Sequence, residues 1–184
     1  MDAQVSNPNF LPILNWADAD VGDIGFYAGT SLLSDLIEEC QPGIGADGSW
    51  TPSHAFIVRD CFTVVEANAN GMCQVAPAEE YQAALPSGRA CLFRPTGGSR
   101  VWRAVALDDL IQKYGNRPYG FLNLVGFGIQ SLLRLRNNPI SCSDVCSQLD
   151  WIYLHCVDPV LVAGLRLRDC DPVKLFDLVS GAHP

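Results

Sequence analysis

The sequence predicts an α+β domain on three observations. Short strand-like segments crowd the first half of the chain, and the strongest helical periodicities lie in the second. The 184 residues are 48% hydrophobic and only 17% charged, enough for one sizeable core without any biased tract. Residues 1–20, with Pro8 and Pro12 and no period, read as an N-terminal lead-in, which leaves 21–184 as a single domain. Val21–Tyr27 alternates as a strand. Thr30 or Ser31 then caps a helix to Glu39 with Leu32, Leu33, Leu36 and Ile37 on one face. Gln41–Pro52, punctuated by Gly43, Gly45 and Gly48, is a loop. Two strands follow around a tight turn, Ser53–Val58 and Phe62–Ala67, with another at Ala90–Arg94. After Gly97 and Gly98 the pattern predicts a strand over Val101–Leu107 and a short helix over Asp108–Tyr114, ended by Gly115 and Pro118. An apolar helix from Tyr119 to Arg136 is broken by Asn137, Asn138 and Pro139, and a last strong helix runs from Cys142 to about His155. The segment DPVKLFDLV near the C-terminus receives no assignment.

Charge and cysteine usage narrow the function classes. Twelve Lys and Arg against twenty Asp and Glu give a net charge of -8 with no basic run, so nucleic acid is not an expected partner. The first ten residues lack Lys and Arg and are interrupted by proline, so no secretory signal is expected. A cytoplasmic location, or export by another route, follows. Phe121–Leu135 carries Asn123, Gln130 and Arg134 and falls short of the roughly 20 residues that span a bilayer, so no membrane span is expected. Eight cysteines without a signal read as reduced thiols. None of their spacings is Cys-x-x-Cys, and no metal or cofactor is implied.

The most informative stretch is PISCSDVCSQL, Pro139–Leu149. Ser141 is a good N-cap with Asp144 three residues on, which puts Cys142 in the first helical position. Unpaired N–H groups and the positive end of the helix dipole favour a thiolate there and can donate to an oxyanion beside it. The alternative is that Cys142 merely opens a buried stripe continued by Val145, Cys146, Leu149, Ile152, Tyr153 and Cys156.

A nucleophilic cysteine needs a base. His183 stands at the C-terminus, and His155 lies roughly 20 Å along the helix from Cys142 at about 1.5 Å per residue. His54, inside the strand SHAFIV, is the remaining candidate, or else a core histidine bonded to a carbonyl. If Arg59, Asp60 and Cys61 form a three-residue loop, Val58 faces Phe62 and His54 faces Glu66, an orienting carboxylate on the same face. A two-residue loop would face His54 with Ala67 and send Glu66 to the other side.

In this order, GDIGFYAGTSLLSDLI (Gly22–Ile37), SHAFIV with VVEA (Val64–Ala67), and PYGFLNLVGF leading to SCSDV resemble the circularly permuted branch of the NlpC/p60 papain-like superfamily. That branch includes the lecithin:retinol acyltransferase-like proteins. The resemblance covers about Gly22 to Leu149, and its His, acid, Cys order is reversed from ordinary papain-like enzymes. It implies a small antiparallel sheet or barrel packed against helices, with a helix N-terminal cysteine facing a sheet histidine. By position it makes Cys142 the nucleophile, His54 the general base and Glu66 the orienting third member. Asp144 stands where many members have Glu, and Cys146 adds a second thiol one turn on. The implied activity is a cysteine hydrolase that cuts an amide bond through a thioacyl-enzyme, as a peptidase or amidase of cell-wall-peptide type. The alternatives are a lipid acyltransferase or lipid amide or ester hydrolase, and a non-catalytic papain-like binding module. Substrates would be a peptide, a peptidoglycan peptide or a lipid. Tyr27 and Tyr119 either line the cleft or are buried tyrosines with satisfied hydroxyls.

Overall fold

The computed structural model describes residues 7–29, 51–68, 70–118 and 146–181. Among them, six strands form one open antiparallel sheet: β1 (Phe10–Ile13), β2 (Ile24–Tyr27), β3 (His54–Val58), β4 (Thr63–Asn68), β5 (Gly71–Pro77) and β6 (Ala90–Pro95). Their order across the sheet is β1-β6-β2-β3-β4-β5. Four α-helices accompany it: α1 (Glu79–Ala84), α2 (Arg100–Tyr114), α3 (Cys146–Val157) and α4 (Pro172–Ser180). The α+β class holds. No described helix is long and apolar enough to cross a membrane.

The central strands are apolar on both faces because both faces are covered. One face presents Ile24, Phe26, Ala55, Ile57, Val65 and Phe93 to a core completed by Leu107 and Leu110 of α2, Leu149, Tyr153 and Leu154 of α3, and Leu175 and Val179 of α4. The other presents Tyr27, Phe56, Val58, Val64 and Leu92 to Tyr81 and Ala84 of α1. The Phe56 ring lies over Gly25, where any Cβ would collide with it. Strand alternation puts His54 and Glu66 on this second face, next to Phe56 and Val64.

Several expectations are corrected. Val101–Leu107 is helical, not a strand. Ser99 caps α2 by accepting from the Trp102 N–H, and Arg103, Ala106, Leu107 and Leu110 recur at helical spacing into the core, while Val101 and Val105 face solvent. The lead-in contributes β1, which pairs with β6 from Phe10↔Pro95 to Ile13↔Leu92. Strand β5 and helices α1 and α4 were not anticipated. The helices expected over 30–39 and 119–136, and the start of the one expected from Cys142, lie outside the described residues. The sheet is open rather than a barrel.

The β3–β4 register also differs from the expected one. Val58 pairs with Val64 and Phe56 with Glu66, so the turn comprises Asp60, Cys61 and Phe62. The cause is Asp60. Its carboxylate accepts from the Phe62 and Thr63 N–H groups at 2.8 and 2.9 Å and from the Thr63 hydroxyl at 2.7 Å, which starts the turn one residue later than Arg59. Phe62 is thereby pushed into solvent, 76% exposed, instead of facing Val58.

Candidate active site

The changed register keeps parity, so Glu66 still shares a face with His54, now diagonally rather than directly opposite. The longer reach of glutamate closes the gap. His54 Nε2 lies 2.8 Å from Glu66 Oε2 and donates to it. Asn68, two residues on and on the same face, donates from Nδ2 to Glu66 Oε1 at 2.7 Å, and the Tyr81 hydroxyl from α1 donates to Oε2. The Tyr81 ring stacks on Phe56 at 4.0 Å and lies 6.1 Å from the imidazole, nearly parallel to it. Three donors thus converge on one buried carboxylate. Burial opposes its charge, but the bonds from His54, Tyr81 and Asn68 outweigh that and pull the Glu66 carboxyl down to about 2.

With Nε2 committed to Glu66, Nδ1 is the ring nitrogen left for a nucleophile. The group that reaches the imidazole is the Cys146 thiol, which is hydrogen-bonded to His54. Cys146 is the first described residue of α3 and His54 the first of β3, so the two meet where the strand begins. Burial works against a charged imidazole, yet the bond and negative charge of Cys146, and then those of Glu66, raise His54 from 6.5 to about 10. About a fifth of its side chain, 19%, remains open to solvent.

The other described cysteines do not share this setting. Cys142 lies outside the described residues. Burial pushes the Cys73 thiol up to about 12, and it also raises Cys91, Cys156 and Cys170. Cys61 sits exposed in the β3–β4 turn. His155 is exposed and stacks on Trp151 at 4.9 Å, away from the pair. His183 and Tyr119 lie outside the described residues. Tyr27 is a buried tyrosine with a satisfied hydroxyl: it donates to Glu80 Oε1 at 2.6 Å and accepts from Arg89.

Sequence reasoning brought together His54 and Glu66 but missed Asn68, Tyr81 and the contact made by Cys146. Asn68 was legible from its two-residue spacing to Glu66. Tyr81 was not, because it arrives on a helix that carried no clear start signal. Cys146 belongs to the expected buried stripe, and it does sit there, 1% exposed. Comparison with known proteins adds no relative: no protein-family model, curated protein or solved structure matches this chain.

Proposed function

We propose that this protein is a cysteine hydrolase that cleaves an amide bond through a thioacyl-enzyme, with Cys146 as nucleophile, His54 as general base and Glu66 as orienting carboxylate. The observation that carries this reading is the continuous chain from Cys146 through the imidazole to Glu66, with Glu66 itself held by Tyr81 and Asn68. A buried structural cysteine needs no histidine, and a core histidine needs no carboxylate held by three donors. The permuted papain-like arrangement expected from the sequence is compatible with this order of residues, with the nucleophile four residues beyond Cys142.

The chemistry follows from the geometry. His54 Nδ1 takes the thiol proton, and the Cys146 sulfur forms a bond to the substrate carbonyl carbon. When the C–N bond breaks, His54 returns that proton to the leaving amine. His54 then takes a proton from water, whose oxygen attacks the thioester and releases the acid and the free sulfur. Glu66 keeps the ring turned and stabilises its charged form throughout.

The test is limiting iodoacetamide at pH 6 with peptide mapping, on the natural protein and on Cys146→Ser, Cys142→Ser and His54→Ala, followed by a panel of peptide amides and lipid amides. Cys146 is expected to be the labelled residue, and His54→Ala to lose selective labelling. Cys142→Ser should leave labelling and turnover intact. Selective labelling of Cys142 instead would move the nucleophile back four residues. Labelling spread evenly over all thiols would leave a binding module as the better account.

A further inference from the structure

Asp150 lies one helical turn beyond Cys146 on α3, on the same face. It is 0% exposed, and neither carboxyl oxygen accepts a hydrogen bond from any described residue. Buried polar atoms are nearly always paired, so an orphan carboxyl beside a reactive pair calls for a reason. The ionisable groups around it come from every neighbouring element: Cys146 and Tyr153 from α3, His54 from β3, Glu66 from β4, Cys73 from β5, and Cys170 just before α4. From α2, Arg103 acts on Tyr153. Burial, then the negative charge of Cys146, and last that of Glu66 hold Asp150 protonated well above the usual carboxylate range, and His54 is the cation that opposes them.

The strongest of those charges is temporary. Whenever the sulfur is a thiolate, its charge balances the imidazolium and opposes a second anion beneath it. Once the sulfur is acylated that charge is gone, yet deacylation requires His54 to become positive again as it takes a proton from water. We propose that Asp150 is a positioning residue that alternates with Cys146 as buried counter-charge to His54, protonated while the sulfur is a thiolate and ionised once the sulfur is acylated. Protons balance over the cycle: Asp150 releases one to solvent after acylation and takes one back when the thiolate returns. The inference rests on Cys146 as nucleophile, and it needs no additional reactant.

Alkylation by iodoacetamide mimics the acylated sulfur, because it replaces the thiolate with a neutral thioether. The experiment compares His54 titration by NMR in wild type and Asp150→Asn, each before and after alkylation of Cys146. The two unmodified proteins should titrate alike at His54. After alkylation, His54 of the wild type should hold its proton at least tenfold more tightly than His54 of Asp150→Asn, a displacement of about one pH unit. Superimposable curves for the two alkylated proteins would overturn the proposal. Infrared spectroscopy of the wild type alone provides a second measure that does not depend on the variant folding. The carbonyl band of a buried protonated acid should be present before alkylation and titrate at lower pH after it, and a band that does not move counts against the idea. Failure of Cys146 to be the alkylated residue would instead sink the reading of the nucleophile, and peptide mapping of the same sample separates the two failures.

Discussion

Replacing Glu66 by glutamine keeps the shape of the side chain and removes its charge, which isolates what the carboxylate does for His54. Folding pulls the Glu66 carboxyl from 4.5 to about 2. At about 1.4 kcal/mol per pH unit, that places on the order of 3 kcal/mol of stability in holding the anion. The stabilisation belongs to one coupled pair, so the shift of His54 is the same interaction seen from its partner and is not added. Because Glu66 is depressed, its contribution is complete above pH 4.5 and disappears as the pH falls through about 2. His54 is raised, so its contribution is complete below pH 6.5 and disappears as the pH climbs through about 10. The pH-dependent part of the stability gap between wild type and Glu66→Gln should therefore be widest from about pH 4.5 to 6.5 and shrink on either side. Urea unfolding of both proteins from about pH 2 to about pH 10 measures it. A gap that stays constant with pH would refute the electrostatic argument and reduce Glu66 to a packing residue.

Two further substitutions test what supports the pair. Tyr81→Phe keeps the stacking on Phe56 and removes one donor from Glu66. It should cost about 2 kcal/mol in urea unfolding, the usual scale for a bond to a charged group, and slow the labelling of Cys146 at pH 6. Asp23 is buried and grips Arg94 through two bonds, at 2.9 and 2.8 Å, where β2 begins beside β6. Asp23→Ala leaves the guanidinium without that partner and should destabilise by about 3 kcal/mol while leaving the pH dependence of labelling unchanged. A changed pH profile in that variant would mean that the ion pair reaches the site.

What was legible in the sequence follows the symmetry of each element. Strand alternation says which face a residue occupies, and it survived an error in register: moving the turn from Arg59 to Asp60 displaced the pairing by an even number of residues, so Glu66 stayed with His54. The turn itself was misread because its start is decided by a side chain, the Asp60 carboxylate, rather than by loop length. The turn at Gly97 and Gly98 makes Val101–Leu107 read as a strand, yet the Ser99 cap and the burial of Arg103, Ala106 and Leu107 make it helical. Helix α4 was written plainly. Asp171 caps it by accepting from the Lys174 N–H, Pro172 occupies its first turn, and Gly181 ends it in a left-handed conformation with φ of 73°.

The same symmetry leaves the choice between two thiols open in the sequence. Cys142 and Cys146 are four residues apart, so any continuous helix would carry both on nearly the same face, and periodicity treats them alike. The axial position of Cys146 is set by how α3 packs on the sheet. The packing is fixed by residues next to the site and one turn on. Ser147 and Cys170 exchange bonds, with the Ser147 hydroxyl donating to the Cys170 carbonyl at 2.8 Å and the Cys170 thiol donating to the Ser147 carbonyl. Gln148 donates to the Leu167 carbonyl and Trp151 to the Leu165 carbonyl. These contacts tie the first turns of α3 to the chain that leads into α4. The C-terminal segment that received no role in the sequence reading therefore helps set the height at which Cys146 stands on the sheet.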